Sequence, residues 1–436
     1  MNETGHGNGI ITDSLDYDAV VVGASLGGCA TALLLGRAGA RVALVEKQPD
    51  PRAFKRVCSH FIQASAVPTI ERLGLLDEIM AAGGLRSRVR IWTQWGWVEP
   101  PPDRAAYAVN LRRELLDPLV REAAAATPGV ELLLGRAAQR LERRGDAVSG
   151  VVVQDRDGEE TLLRGRLVVG ADGRDSRIAE LAGVATKTLP HGRFTYGAYY
   201  EGPPPASAPA STIWFLDPQW AAAFPTDDDL VFYGAMPTKD RLPEFKRDAE
   251  AALVSYMADL PEAPPIAAAR RVSPVIGKLE MPNRVRVPVA PGLALVGDAA
   301  LATDPLFGVG CGWALQSGEW LADSVAPALR GKEPLERALA RYRRRHARRL
   351  RGHAFFIHDY ATGRRFNPTE RILFAAATRD AKLATDLEAF ATRRVGPARS
   401  FAKAVPRAIA VHARQAVARR RGDTRPAGNR VAGVRG

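Results

Sequence analysis

Residues 18–47 read DAVVVGASLGGCATALLLGRAGARVALVEK: an apolar strand, a glycine-rich turn, an alanine- and leucine-rich helix, and a second strand ending at Glu46. This is the order of a βαβ unit, in which the strand delivers its carboxyl end to a tight turn and the next helix points free N–H groups at a phosphate. The pattern G-x-G-x-x-G is met at Gly23 and Gly28 but has Ser25 in the middle. Serine is the smallest departure that adds a hydroxyl donor, and Gly27 adds room. Glu46, with Lys47 beside it, stands where a carboxylate accepts from an adenosine ribose hydroxyl and disfavours a ribose phosphate, so the pattern predicts FAD or NAD rather than NADP.

The same strand, turn and helix order recurs at 166–183 (RLVVGADGRDSRIAELAG) and at 292–329 (GLALVGDAALATDPLFGVGCGWALQSGEWLADSVAPAL). Between them, 194–287 is rich in aromatic and β-branched residues broken by Pro and Asp, the texture of a β-rich insertion. Residues 88–102 (RVRIWTQWGWVEPPP) read as a strand pair, 61–84 as two amphipathic helices and 110–126 as a strong helix. A nucleotide domain interrupted by an inserted sheet follows, with residues 1–14 as a disordered lead-in.

The 436 residues are 46% hydrophobic and 25% charged, ordinary for a globular enzyme of more than one domain. The net charge of +13 is concentrated in residues 391–436, which hold 12 Arg or Lys against one acid, Asp423. The body is therefore nearly neutral, which argues against a nucleic-acid partner. Cys29, Cys58 and Cys311 are scattered and odd in number, unlike a disulfide framework, and no His, Asp and Glu cluster predicts a metal site. Neither a signal peptide nor an integral membrane span is expected, so the reading is a cytoplasmic monomer or homodimer acting on a small molecule.

The two later turns resemble the second and third fingerprints of single-component FAD-dependent monooxygenases of the para-hydroxybenzoate hydroxylase type. The segment FKRVCSHFIQASAVPTIERLGL (54–75) adds a geranylgeranyl-reductase-like feature. The resemblance implies a Rossmann-like α/β FAD-binding domain of three layers (β/β/α) in parts 15–85, 106–186 and 289–330. Substrate-domain strands at 86–105, a β-rich substrate domain at 187–288, and C-terminal helices with a basic tail at 331–436 complete it. It places Asp172 and Gly173 near FAD and the transient NAD(P)H path, and Gly297 and Asp298 on the ribityl and ribose region. Pro305, Gly308, Gly310, Cys311 and Gly312 would open a helix under the flavin's pyrimidine edge, and Arg112, followed by Leu115 and Leu119, would approach the diphosphate.

The implied reaction is hydroxylation, in which NAD(P)H reduces FAD and O₂ gives a flavin hydroperoxide that oxidises an apolar or aromatic compound of specialised metabolism. The alternative is an FAD reductase of the geranylgeranyl-reductase type. Halogenation is disfavoured, because that branch needs a lysine downstream of the first glycine motif and none occurs between Lys55 and Lys187. Arg56 and His60 follow the second strand, and His60 is expected to carry a proton. Asp304, in the flavin loop, is expected to orient substrate or accept a proton. Trp95, Trp97, Tyr199, Trp214 and Tyr233 are the expected pocket wall.

Overall fold

The computed structural model describes residues 13–56, 58, 60–305 and 308–420. Its first sheet is organised on five parallel strands, in the order Leu293–Leu295, Glu160–Gly170, Asp13–Val22, Val42–Glu46 and Val130–Leu134. In the central three, 19–22, 42–45 and 167–169 are runs of Val, Leu and Ala that are buried, as a parallel sheet covered on both sides requires. Helices α1 (Leu26–Arg37), α2 (Arg113–Ala125) and α3 (Val309–Leu329) pack on one face. The antiparallel strands Ala137–Arg144 and Ala147–Gln154 cover the other with the helix Arg177–Leu181, giving the β/β/α layering. The first strand already begins at Asp13, two residues inside the lead-in expected to be disordered, and residues 1–12 lie outside the described residues.

The β-rich insertion forms a second sheet. Strands Thr195–Glu201, Val231–Met236, Trp220–Pro225 and Ser211–Phe215 pair antiparallel in that order. The hairpin Val89–Thr93/Gly96–Val98 joins by parallel pairing of Val89–Thr93 with Ser211–Phe215. Because strand side chains alternate, the sheet has two distinct faces. Ile91, Val98, Ile213, Phe215 and Phe224 meet Phe61 and the C-terminal helices. Trp214, Ala221, Ala223 and Tyr233 face the helix Ala249–Ala258 instead.

The C-terminal region is α4 (Leu335–Ala361), α5 (Pro368–Ala377), α6 (Ala381–Ala391) and α7 (Pro397–Arg420). Ala404, Ala408 and Val411 bury one side of α7, so this part of the basic tail is a packed helix. Residues 421–436 lie outside the described residues. No helix among the described residues is long and apolar enough to cross a membrane.

Candidate active site

The three glycine turns and Glu46 leave the carboxyl ends of four neighbouring parallel strands, the edge at which open α/β sheets bind ligands. Backbone bonds lock the edge together: Gly23 N–H donates to Val45 (2.7 Å), Ala171 to Val22 (2.8 Å) and Val296 to Gly170 (3.0 Å). Two positions require glycine. Gly23 has φ +109°, and a Cβ there would sit 2.5 Å from the Ala171 carbonyl oxygen; at Gly28 it would sit 1.8 Å from the Gly23 oxygen. The turn is thus packed backbone on backbone, and α1 opens from it with Ser25 at its N-cap.

The carboxylate of Glu46 accepts from the Ala24 N–H and the Gln48 N–H (both 3.0 Å), which aims it across the turn. Ser25 Oγ accepts from Arg113 Nη2 at 2.8 Å. Arg113 is buried, pairs with Asp117 through Nε (2.7 Å), and carries Nη1 to 3.8 Å from Cys58 Sγ and 3.6 Å from Cys311 Sγ. Arg112 does not occupy the expected position. Its guanidinium points to the second-sheet loop and pairs with Asp227 (2.6 Å) and Asp228, because as N-cap of α2 it lies on the side opposite Arg113. Sequence reasoning missed Arg113 by one residue, and only the helical phase distinguishes the two.

Asp298 follows Gly297 and forms an ion pair with Lys55 Nζ at 3.1 Å. Although burial opposes it, Lys55 with Arg174 holds this carboxyl below its usual range. Asp172 accepts from Ser176 Oγ (2.5 Å) and the Ile178 N–H (2.9 Å), holding the Gly173 turn and the start of Arg177–Leu181. Pro305 precedes Gly308, the left-handed N-cap of α3 (φ +59°). A Cβ on Gly310 would meet open space, and one on Gly312 would meet only Ala66 Cβ at 3.2 Å. The first-turn N–H groups of an α-helix have no intrahelical partner, so α1 and α3 offer donors at the same edge as Glu46 and Asp298. These residues fit an extended dinucleotide. Lys47 and Arg56 are exposed, away from the buried contacts of the site.

His60 is 4% exposed with φ +61°. Its Nδ1 accepts from the Arg113 N–H, so the ring proton is on Nε2, which has no partner among the described residues. Burial lowers its pKa to about 4, so the ring is neutral near pH 7 and does not shuttle protons in the physiological range as expected. Tyr199 lies edge-on to it at 5.2 Å, and its hydroxyl is likewise buried without a partner.

The other expectations are redistributed. Asp304 is fully buried and accepts from Arg193 Nη2 and His191 Nε2, both at 2.8 Å, which makes it an internal counter-ion rather than an acid open to substrate. Trp97, Trp214 and Tyr233 belong to the outer face of the second sheet; Trp97 and Trp214 meet at 6.2 Å and Trp214 Nε1 donates to the Pro261 carbonyl. Trp95 packs on Phe366 among the C-terminal helices. Of the five, only Tyr199 packs against His60, which is tied to Arg113 beside the glycine-turn edge. A small cavity of ≈ 20 Å³, partly open to solvent, lies instead among Phe61, Val89, Ile91, Val98 and Ile213, closed by Glu388, Ala391 and Thr392 at the end of α6. Nothing in the sequence signalled a partner some 300 residues beyond Phe61.

A family model described as "FAD binding domain" matches residues 16–354, and the chain belongs to this family. It is an FAD-dependent oxidoreductase of the monooxygenase class. Kynurenine 3-monooxygenase of Salinispora arenicola is 28% identical over 329 residues, 67% of this chain and 68% of that protein. Digeranylgeranylglycerophospholipid reductase of Methanocaldococcus jannaschii is 27% identical over 346 residues, 76% and 82% of the two chains. The flavin-dependent brominase Bmp2 shares the fold, with TM-score 0.75 at 19% identity over 93% of this chain and 100% of that one.

Proposed function

We propose that the chain is a cytoplasmic, NAD(P)H-consuming hydroxylase of an apolar or aromatic small molecule of specialised metabolism. The observation that carries this reading is the apolar lining where Phe61, beside Gly308, meets the inner face of the second sheet and α6, around a cavity of only ≈ 20 Å³ that must widen to admit a substrate. Its walls are hydrocarbon, with Gln63, Glu388 and Thr392 as the few polar groups, the composition of a site for a largely apolar ligand.

When bound, FAD supplies electron transfer from NAD(P)H and activation of O₂. The glycine turn Gly23–Gly28 and the α1 N-terminus would hold its diphosphate, Glu46 the adenosine ribose, Asp298 the ribityl chain, and the α3 N-terminus from Gly308 to Gly312 the pyrimidine edge. Arg113 places a fixed positive charge behind Ser25. Phe61, Phe224 and Phe232 pack ring on ring, at 5.5 and 6.5 Å, and exclude water from the sheet side. The neutral His60 offers Nε2–H, and Tyr199 its hydroxyl, as hydrogen-bond donors to a substrate oxygen.

The test is NADH or NADPH oxidation by the flavin-loaded protein, with aromatic compounds, under ¹⁸O₂ and under nitrogen. Substrate-stimulated oxidation with ¹⁸O in the product is expected. Turnover that persists without oxygen, and leaves the product unlabelled but hydrogenated, establishes the reductase reading, which the archaeal reductase relative favours.

A further inference from the structure

The three cysteines look unrelated in the sequence, yet two of them meet. Cys58 Sγ lies 3.6 Å from Cys311 Sγ, with Arg113 Nη1 within 3.8 Å of both and the His60 N–H donating to Cys58 Sγ at 3.3 Å. Cys58 sits in the segment after the second strand of the βαβ unit and Cys311 in the first turn of α3, so the pair joins two walls of the flavin edge. Cys58 is a partly buried residue and Cys311 a buried one, so the Cys58 segment is the side from which a small oxidant such as hydrogen peroxide would approach.

We propose that Cys58 and Cys311 form a peroxide-oxidisable dithiol, a modification site whose product is an intramolecular disulfide across the flavin edge. Cys58 thiolate attacks the O–O bond of hydrogen peroxide, becomes a sulfenic acid, and releases hydroxide that takes up a proton to become water. The Cys311 sulfur then displaces the sulfenic oxygen, which leaves as a second water. Two thiols and one peroxide thus become one disulfide and two waters. The sulfurs must close from van der Waals contact to about 2.05 Å, a small movement for two side chains already in contact.

The electrostatics divide the two roles. The contact with Cys311 Sγ, in which either sulfur can donate, favours the Cys58 thiolate, and Arg113, His60 and Lys55 add positive potential, which together hold it well below the usual thiol range despite burial. Cys311, through the same contact and its burial, is pushed above it. The nucleophile is therefore Cys58 and the resolving sulfur Cys311. Cys29, fully buried in α1 with its pKa pushed up to about 12 by burial, is the unreactive internal control.

The test uses the full-length protein as purified, treated with equimolar hydrogen peroxide, then denatured and alkylated. Two of the three thiols are expected to disappear, the intact mass to fall by two hydrogens, and a non-reducing digest to contain the Cys58–Cys311 cross-linked peptide, all reversed by dithiothreitol. In Cys311→Ser the product is instead a Cys58 sulfenic acid captured by dimedone, and in Cys58→Ser the two remaining thiols stay titratable. Three titratable thiols after treatment of the wild type, a Cys58 sulfinic acid without cross-link, or a cross-link to Cys29 would each overturn the proposal. None of these readouts depends on substrate or turnover, so the result stands apart from that of the hydroxylase assay.

Discussion

The carboxyl edge of the first sheet and the inner face of the second are both lined by conspicuous residues, but for different reasons. At the edge, the residues of the first turn are tied to the backbone: Gly23 and Gly28 leave no space for a Cβ, and Glu46 is held by two amide donors. On the second sheet the notable residues are tryptophans and tyrosines, and most of them turn away from the site to fill a core under the helix Ala249–Ala258. Local geometry marks function in the first sheet, whereas aromatic density in the second marks packing.

The largest expected effect lies at the edge. Gly28→Ala places a Cβ against the Gly23 oxygen, and the purified variant is expected to be colourless, with no flavin absorbance, while its far-ultraviolet circular dichroism stays native. Full flavin content in this variant would break the assignment of the turn. Next, Trp214→Ala removes a side chain that is 2% exposed and is expected to cost about 3–5 kcal/mol in urea unfolding, with KM unchanged within about twofold. Its chain neighbour Ile213 lines the cavity on the opposite face. Ile213→Phe, by adding bulk at the wall that must give way to admit a substrate, is expected to raise KM by about tenfold, roughly 1.4 kcal/mol of binding. A reversed pattern, with KM responding at Trp214 and not at Ile213, would exchange the two faces.

Acid titration gives a smaller, graded effect. Burial lowers the pKa of both His60 and His346 from 6.5 to about 4, so between those values the unfolded chain binds protons that the folded chain excludes. Stability is therefore complete above about pH 6.5 and falls as the pH drops toward 4. Urea midpoints measured across this window are expected to show the slope, and His346→Phe to flatten it. The smallest effect is at Ser25. Ser25→Gly restores the middle glycine and gives up the Arg113 contact, and it is expected to retain bound flavin, read as the absorbance ratio of the purified protein.

Much of the cofactor edge was legible because its signals are local. A glycine between strand and helix, and an acid at the end of the next strand, follow from backbone clearance and hydrogen bonding within some 30 residues. The resemblance of the two later turns to the fingerprints of the FAD-dependent monooxygenases implied FAD rather than NAD. The roles of single side chains were not legible to the same degree. Arg112 and Arg113 are adjacent and chemically alike, and only the phase of α2 sends one to Asp227 and the other to Ser25. Asp304 read as a flavin-loop acid able to orient substrate or accept a proton because His191 and Arg193, which pair with it, lie on a connection more than 100 residues earlier.

Any strand has two faces, because its side chains alternate, but the aromatic and β-branched texture of the insertion carries no label for which face a helix will cover and which will look toward the glycine-turn edge. That choice was made by the docking of Ala249–Ala258 on one side and of Phe61 with the C-terminal helices on the other. The same long-range packing made a cavity wall of α6 and brought Cys58 to Cys311. Chain-local chemistry established the nucleotide turns and the family to which they lead. Contacts between segments hundreds of residues apart, set by burial of apolar surface rather than by any short pattern, decided where substrate and thiols meet.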